Sequence, residues 1–334
     1  MADRIAEICI FLQAQWPHGE FQLDPISGDA SFRRYFRVTT ASTSYVLMDA
    51  PPNLEDSQRF IAICQAYAAA GLVVPTVIAA EPARGLLLLS DLGDALLQHQ
   101  LSEDTVEQWY RQALGLLPAV RQVQSSASGA LPAFDRAFLQ RELMLFNEWF
   151  LTKHLAITPS TEIAAMLNQA FDLICDAALS QVQAGMHRDF HSRNLMVQTP
   201  QQLAVIDFQD AVIGPVTYDA VSLLKDCYVM WPTALIDSLR NEFLQQLQQQ
   251  GVLPAHYDSQ RFQQDFDWMG LQRHLKVLGI FCRLWYRDGK SGYLADLPRV
   301  FQYVVQTCEH YPEFSALATW LRQEVEPALV RSLA

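Results

Sequence analysis

Residues 187–194 of this chain read His187-Arg188-Asp189-Phe190-His191-Ser192-Arg193-Asn194, and residues 207–210 read Asp207-Phe208-Gln209-Asp210. Between these segments, apolar runs at residues 195–197 and 203–206 flank a polar turn at residues 199–201, which predicts a β-hairpin. The returning strand of that hairpin brings Asp207 beside Asn194. We therefore expect the two segments to form one site.

The residue types in these segments are those that phosphoryl transfer requires. In the pattern H-R-D-x-x-x-x-N, the aspartate faces the acceptor hydroxyl and the asparagine offers its amide oxygen to a metal ion. Asp189 and Asn194 have this spacing, so Asp189 is the candidate catalytic base. Asp207 adds a carboxylate, a hard oxygen ligand of the kind that Mg²⁺ prefers. Short motifs match by chance, but here the loop, the hairpin and the second aspartate occur together in the expected order.

A stretch near the N-terminus is a candidate for the turn that covers the phosphates of a nucleotide. It reads Gly28-Asp29-Ala30-Ser31-Phe32-Arg33-Arg34-Tyr35-Phe36. Gly28 would let the backbone approach a phosphate closely. Arg33 and Arg34 carry guanidinium groups that suit phosphate oxygens, although solvated charges at a strand edge are the more common role. Because neighbouring strand residues face opposite ways, only one of the two should point at the nucleotide.

The order of the predicted elements divides the chain into two lobes. A helical pattern at residues 3–15 and short β-prone runs ending at residues 86–89 precede Ser, Asp and Gly residues at 90–93, which break the last strand. Farther along, the pattern is mainly helical. We predict an α+β fold with a small β-rich N-terminal lobe at residues 1–92, a hinge at residues 90–93, and a larger, mainly helical lobe at residues 94–334.

The composition excludes several classes of protein. Half of the 334 residues are apolar and 18% are charged, so the chain can bury a large core. No run approaches the roughly 20 uninterrupted apolar residues of a membrane helix, and residues 1–20 lack a signal-peptide pattern, which favours a cytoplasmic protein without a membrane partner. A net charge of −12 and the absence of a long basic run disfavour nucleic acid. We infer no obligate protein partner.

Together, the quoted segments resemble the aminoglycoside phosphotransferase family, whose members have the protein-kinase-like two-lobed fold. The resemblance spans nearly the whole chain, and residues 47–52, 141–143 and 273–279 look like those of members that phosphorylate amino sugars of the bacterial cell wall. It implies a sugar kinase that uses ATP and Mg²⁺. The implied acceptor is the anomeric C1 hydroxyl of N-acetylmuramate or N-acetylglucosamine, and the implied setting is peptidoglycan recycling.

The resemblance also implies roles for individual residues. Asp189 would be the catalytic base, and Asn194 and Asp207 would be the Mg²⁺ ligands. The residues expected to contact ATP are Gly28, Ser31, Arg33 and Arg34 at the phosphates, and Ser90, Asp91 and Leu92 at the adenine. Candidates for the acceptor pocket are Arg193, Asp210 and Glu142, of which Arg193 and Asp210 could equally serve as structural salt-bridge partners.

The sequence departs from the family where Met48 occupies the place of a phosphate-binding lysine. The first lysine in the chain is Lys153, so positive charge at the phosphates must come from an arginine, from backbone N–H groups or from Mg²⁺. Glu55, which might have paired with that lysine, is expected to be exposed rather than bound to an arginine. Gln209 replaces the glycine of protein kinases, which favours a constitutively assembled metal site.

The identity of the acceptor stays open at this point. Five basic residues share one ~100° sector if residues 271–290 are helical, namely Arg273, Lys276, Arg283, Arg287 and Lys290. Such a stripe could draw an anionic sugar, although a solvated helix face is the expected role. The alternatives are a kinase of another small alcohol or of an aminoglycoside, and a nucleotide-binding pseudokinase. The intact Asp189, Asn194 and Asp207 count against the pseudokinase.

Overall fold

The computed structural model of the protein describes residues 2–17, 19–26 and 32–333. Its N-terminal part is built around a five-stranded antiparallel sheet with the strand order β1-β2-β3-β5-β4. In chain order the elements are α1 (Ala2–Gln15), β1 (Phe21–Ile26), β2 (Arg34–Thr40), β3 (Ser44–Asp49), α2 (Ser57–Ala69), β4 (Val77–Glu81) and β5 (Leu86–Ser90).

The two faces of this sheet are covered by different helices. Successive strand residues point to opposite faces, so Leu47 and Leu88 pack with α1 while Met48 and Leu87 belong to the larger core on the other face. The run of four leucines at residues 86–89 is buried in β5, as expected for a central strand. Met48, at the position where the resemblance predicts a phosphate-binding lysine, is fully buried in this core.

The remainder of the chain is mainly helical, with three short antiparallel strand pairs. Its elements are α3 (Val106–Leu114), α4 (Leu117–Gln122), β6 (Ser125–Ser126), β7 (Gly129–Ala130), α5 (Arg136–Leu145), α6 (Thr161–Ser180), β8 (Gln183–Met186), β9 (Leu195–Thr199), β10 (Gln202–Val205), β11 (Val212–Pro215), α7 (Tyr218–Leu224), α8 (Thr233–Gln249), α9 (Ser259–Asp288), α10 (Leu297–His310), α11 (Ser315–Trp320) and α12 (Glu326–Ser332). The predicted hairpin is present as β9 and β10.

Helix α9, with 30 residues, is the central element of this helical part. Asp258 caps its start by accepting a hydrogen bond from the backbone N–H of Arg261, and Gly289 ends it in the left-handed conformation with φ 72°. The helix contacts α5, α6, α7, α8 and α10, so most of its middle section is enclosed. This enclosure buries charged residues of α9 that a surface helix would expose.

Helix α6 is the one helix in the described part of the chain that has the length and apolarity of a membrane span. Its buried residues recur at the spacing of a single helix face, and that face packs against α5 and α9. They are Leu167, Ala170, Phe171, Ile174, Cys175 and Ala178. This one-sided burial is typical of a core helix.

The crossing of α9 over the end of α5 depends on Gly279. A Cβ atom at this position would lie 2.3 Å from the backbone carbon and oxygen of Leu145. We therefore expect Gly279→Ala to push the helices apart, lowering the free energy of unfolding by roughly 1–3 kcal/mol or more. The measurement is the thermal unfolding midpoint.

Gly270 offers a matched control on the same helix. A Cβ atom there would make only ordinary contacts, the nearest at 3.6 Å. Replacing a helical glycine by alanine stabilises by roughly 0.5–1 kcal/mol where the side chain fits, so Gly270→Ala should be neutral or more stable. Equal midpoints for the two variants would show that α5 and α9 do not need this close approach.

Candidate active site

A cavity of about 1240 Å³ lies between the N-terminal sheet and the helical part. The sheet contributes residues of β2, β3 and β5, and the helical part contributes α5, α9 and both segments singled out in the sequence. Asp189, Asn194 and Asp207 all line it. The tertiary structure thus brings together the residues expected to act on a phosphoryl group.

Asp219, at the start of α7, binds the backbone of the loop that carries Asp189. The Asp219 carboxylate accepts hydrogen bonds from the backbone N–H groups of His187 and Arg188, at 2.8 and 3.0 Å. Arg188 has a positive φ of 77°, a strained conformation for a side chain of this size. The two bonds to Asp219 fix the backbone here, and this allows Arg188 to keep its strained conformation.

The end of the same loop is fixed by a second buried carboxylate, that of Asp226. It accepts hydrogen bonds from the backbone N–H and the hydroxyl of Ser192, at 3.0 and 2.5 Å. Two residues later, the side-chain amide of Asn194 donates to the backbone oxygen of Asp189 at 2.9 Å and to Asp207 at 3.4 Å. With its N–H₂ group used in this way, Asn194 has its amide oxygen available to a cation in the cavity.

The segment that begins with Asp207 is anchored on α2. The ring of Phe208 is fully buried and lies 5.1 Å from that of Phe60 and 5.5 Å from that of Tyr67. Arg59 donates to the backbone oxygens of Gln209 and Ala211 at 3.1 and 3.3 Å. Helix α2 of the N-terminal part therefore holds in place the segment that presents Asp207 to the cavity.

Gln209 contributes directly to the placement of Asp207. Its side-chain amide donates to the Asp207 carboxylate at 2.7 Å, and Gln209 itself is buried. Asp207 has a φ of 63°, so it shares with Arg188 the left-handed conformation that side chains seldom adopt. A glycine at position 209 would make no such bond, so this support of Asp207 comes from the glutamine side chain.

The two aspartates differ in their electrostatic surroundings. Desolvation would raise the pKa of Asp189, but Lys276 and Arg188 outweigh it and hold the pKa well below its usual range. The Asp207 carboxylate is open to the cavity, yet desolvation deep in the cleft and repulsion from other carboxylates raise its pKa to about 6. Asp189 is thus dominated by nearby cations, whereas at Asp207 the favourable charge of Arg33 is outweighed by desolvation and by neighbouring carboxylates.

The donors around Asp207 fit a Mg²⁺ ion bound together with phosphate oxygens and water. No group of three His, Cys, Asp or Glu side chains gathers into a metal cluster within residues 2–17, 19–26 and 32–333. Mg²⁺ does not need one, since it is usually held by one or two protein oxygens plus substrate phosphates. Desolvation and the carboxylates of Asp189 and Asp210 raise the pKa of Asp207, and a divalent cation bound beside it would counter both effects.

The two arginines of the N-terminal stretch face opposite sides of the sheet. Arg33 lines the cavity and forms an ion pair with Glu55 at 2.5 Å. Arg34 faces α1, where it pairs with the buried Asp49, which also binds Arg4 at 2.7 Å. The structure therefore brings Arg33 but not Arg34 to the cavity.

The expectation that Glu55 is exposed is wrong, because this ion pair shields its side chain, which is 13% exposed. Sequence alone could not supply the partner, since Glu55 and Arg33 meet only when the sheet and the start of α2 are assembled. Gly28 and Ser31 lie outside the described residues.

The predicted hinge residues Ser90, Asp91 and Leu92 all line the cavity. Asp91 accepts hydrogen bonds from Arg37 and from the backbone N–H of Gly93, both at 2.8 Å. The backbone oxygen of Leu92 accepts one from Gln198. These contacts fix the chain where it leaves the sheet and enters the helical part.

Comparison with known proteins assigns the family. Residues 22–261 match the model of the phosphotransferase enzyme family. The chain belongs to this family. It is 41% identical over 301 residues to the N-acetylmuramate/N-acetylglucosamine kinase of Pseudomonas aeruginosa, covering 90% of this chain and 88% of that protein. It is 37% identical over 314 residues to the protein of the same name from Neisseria meningitidis serogroup B, covering 92% of each.

A solved structure extends the comparison to the fold. An aminoglycoside phosphotransferase determined with ADP bound is 14% identical and has a TM-score of 0.56, covering 90% of this chain and 98% of that one. The family and the kinase-like fold expected from the sequence are thereby confirmed, with a small antiparallel sheet followed by a mostly helical part.

The acceptor residues predicted from the sequence have three different surroundings. Arg193 lines the cavity, donates to Gln98 at 2.8 Å and lies 3.6 Å from the ring centre of Tyr228. Asp210 is exposed at the edge of the cavity. Glu142 also lines the cavity but is buried and fully engaged by protein partners.

Those partners of Glu142 form a buried ion network, which we call the Glu142 network. Its carboxylate accepts from Arg188 at 2.8 Å and from Gln272 at 3.0 Å, and the Lys276 ammonium lies 3.2 Å away. Desolvation opposes the charge of Glu142, but Lys276 and Arg188 keep its pKa below the usual value. In turn, desolvation opposes the charge of Lys276, whose pKa is nevertheless raised by Glu142. Both groups are therefore charged.

The sequence reasoning missed Lys276 because it interpreted the basic stripe of α9 as solvated. That expectation is wrong for Arg273 and Lys276, which are only 2% and 4% exposed. Arg273 donates to the hydroxyl of Ser222 at 2.7 Å. The burial of these two cations was indicated in the sequence, because the apolar residues around them are as dense as in an enclosed helix.

We expect Glu142→Gln to unfold more easily, because it removes the negative charge that Lys276 and Arg188 share. Removing one partner of a buried ion pair destabilises by roughly 3–5 kcal/mol. Glu148→Gln, at an exposed position beyond α5, should change stability by no more than about 0.5 kcal/mol. Urea unfolding of both variants is the measurement. Unchanged stability with a raised KM for the acceptor would mean that Glu142 binds substrate, as the sequence suggested.

Proposed function

We propose that this chain transfers the γ-phosphoryl group of Mg·ATP to the anomeric C1 hydroxyl of N-acetylmuramate or N-acetylglucosamine. The observation that carries the proposal is the meeting of Asp189, Asn194 and Asp207 at one cavity, in a chain whose relatives are named kinases of these two sugars. The sugar 1-phosphate would serve peptidoglycan recycling as the substrate of a uridylyltransferase. Because ATP is the donor, we assign the reaction to the cytoplasm.

In this proposal the nucleotide lies in the cleft with its adenine at Ser90, Asp91 and Leu92. These residues would form the hinge between an N-terminal lobe at residues 1–92 and a C-terminal lobe at residues 94–334. A protein of similar fold was determined with ADP bound, which supports the binding of a nucleotide. Arg33 is the basic residue of the phosphate-covering stretch that lines the cavity, so it would offset charge on the triphosphate.

Asn194 and Asp207 would hold Mg²⁺, which when bound neutralises negative charge on the transferred phosphoryl group. The bond from Gln209 and the anchoring of Phe208 on α2 keep Asp207 in position before substrate arrives. Catalysis of phosphoryl transfer rests mainly on positioning and electrostatic stabilisation. A preassembled carboxylate is what such a mechanism requires.

Asp189 would accept a hydrogen bond from the acceptor hydroxyl and orient its oxygen toward the γ-phosphate. Lys276 and Arg188 keep Asp189 ionised, so it is always able to accept this bond. The low pKa makes Asp189 a weak base. This suits a loose transition state, in which the proton leaves the hydroxyl late and orientation matters more than basicity.

The charges at the acceptor end of the cavity support an acceptor that is not a polycation. This end is the part of the cavity lined by α5, α9, residues 187–194 and Asp210. Its basic residues are Arg141, Arg188, Arg193, Lys276 and Arg283, and its acidic residues are Glu142, Asp189 and Asp210. Aminoglycosides carry several ammonium groups and need a concentrated acidic pocket. An uncharged or anionic amino sugar matches this surface better.

The position of the transferred phosphate tests the proposal. We expect ³¹P NMR to show a sugar 1-phosphate after incubation with Mg·ATP and either sugar, and no product from the corresponding 1-O-methyl glycosides. Asp189→Asn is the matched control, with turnover reduced by about 100-fold or more at unchanged folding. Phosphorylation of a methyl glycoside would assign the chemistry to another hydroxyl.

A second prediction concerns the charge that replaces the missing lysine. We expect Arg33→Gln to lower kcat/KM for ATP by about 10- to 100-fold, because it removes a charge-assisted contact worth roughly 1.5–3 kcal/mol. Arg34→Gln removes a guanidinium from the opposite face of the sheet and should change this value by less than about twofold. The measurement is steady-state kinetics with ATP varied.

Thermal unfolding of both variants provides the control for folding, since each loses a bond to an acidic residue. If neither variant alters kcat/KM for ATP, backbone N–H groups and Mg²⁺ suffice at the phosphates. A larger loss for Arg34→Gln than for Arg33→Gln would contradict the assignment of the two faces.

A further inference from the structure

Three basic residues at the acceptor end of the cavity form no ion pair with another described residue, namely Arg141, Arg193 and Arg283. Arg141 is exposed and lies over the ring of Phe138, and Arg193 donates to Gln98.

Arg188 and Lys276 are both bound to Glu142, whereas Arg283 forms no ion pair or hydrogen bond with any other side chain within residues 2–17, 19–26 and 32–333. Arg283 lines the cavity and is partly buried, and its Nε atom is shielded from solvent without an acceptor. Desolvation lowers its pKa and the nearby Arg287 adds to this effect, while Asp288, Glu142 and Glu148 act in the opposite direction without forming an ion pair with it.

An unpartnered guanidinium in such a place needs a physical explanation. A shielded donor without an acceptor is destabilising by roughly 1–3 kcal/mol, and more when it is charged. Such groups are uncommon in native structures and each needs an explanation, of which a bound ligand is one. A planar guanidinium matches a carboxylate in particular, because two parallel N–H groups can meet its two oxygens.

The position of Arg283 relates it to the proposed reaction centre. Lys276, Ile280 and Arg283 all line the cavity at positions i, i+4 and i+7 of α9, so they share one face of the helix. Lys276 is the strongest cationic influence on Asp189. Arg283 lies about 10 Å from Lys276 along the axis of α9. A hexose with its reacting hydroxyl at Asp189 would extend along this face toward Arg283.

Apolar side chains lie between the two ends of this path. Leu145 from α5 and Ile280 and Leu284 from α9 line the same part of the cavity. They offer an apolar surface to the sugar ring and lower the polarity around the guanidinium, which strengthens any ion pair formed there. This side of the cavity therefore offers Asp189 to the reacting hydroxyl, an apolar surface to the sugar ring, and the guanidinium of Arg283 beyond that surface.

We propose that Arg283 binds the carboxylate of the acceptor and thereby distinguishes N-acetylmuramate, which carries one, from N-acetylglucosamine, which does not. This assignment rests on the proposed function. It makes Arg283 a specificity residue with no part in the transfer of the phosphoryl group. N-Acetylglucosamine has no carboxylate, so in its complex Arg283 would be hydrated instead.

The test compares the two sugars in wild-type protein, Arg283→Gln and Arg287→Gln at saturating Mg·ATP. We expect Arg283→Gln to lower kcat/KM for N-acetylmuramate by about 10- to 100-fold and to leave N-acetylglucosamine within about twofold of wild type. Arg287 is the matched control, because it lies on the same helix, is exposed, and is bound to Asp288 at 2.7 Å. Arg287→Gln should change neither value.

The carboxamide of N-acetylmuramate adds a test from the side of the substrate. Wild-type protein should use it as poorly as Arg283→Gln uses the acid, and Arg283→Gln should then cause little further loss, as expected for two groups that act only on each other. Equal losses on both natural sugars, or no loss on either, would overturn the role of Arg283. Wild-type protein that phosphorylates neither sugar would instead refute the proposed function, and the assignment of Arg283 with it.

Discussion

The Glu142 network is the interaction on which the proposed catalytic region depends. A carboxylate buried between α5 and α9 is tolerated only because Arg188 and Lys276 offset its charge. Arg188 is also the residue next to Asp189, so the network joins the core of the helical part to the loop that carries Asp189. It further sets the charge state of Asp189, since the same two cations hold the pKa of that group low.

A second constraint acts from the N-terminal part. Helix α2 holds the segment after Asp207 through the ring contacts of Phe208 and the bonds that Arg59 donates to its backbone. The two proposed metal ligands are thus supported from different sides, Asn194 by the helical part and Asp207 by α2. Any movement of α2 relative to the helical part would change the distance between them, which couples the geometry of the site to the packing of the lobes.

Met48 stands where the resemblance predicts a lysine, and Arg33 supplies a cation to the same region. Met48 completes an apolar core, while the cation of this region comes from Arg33, held by Glu55. The ion pair links the stretch before β2 to the residues just before α2, so the charge at the cavity is tied to the position of α2. Arg33 faces the cavity and Arg34 does not, because Arg34 forms an ion pair with Asp49 on the opposite face of the sheet.

The sequence by itself determined the segments at Asp189 and Asp207, the hairpin between them and the division into a β-rich and a helical part. These features are encoded locally, because spacing, turn residues and apolar periodicity act over a few residues along the chain. Only the tertiary structure decided that Arg33 faces the cavity, that Glu142 is bound by protein cations and that Lys276 is buried. Each depends on partners far away in the sequence, and whether a charged side chain is solvated or paired is decided only when those partners pack together.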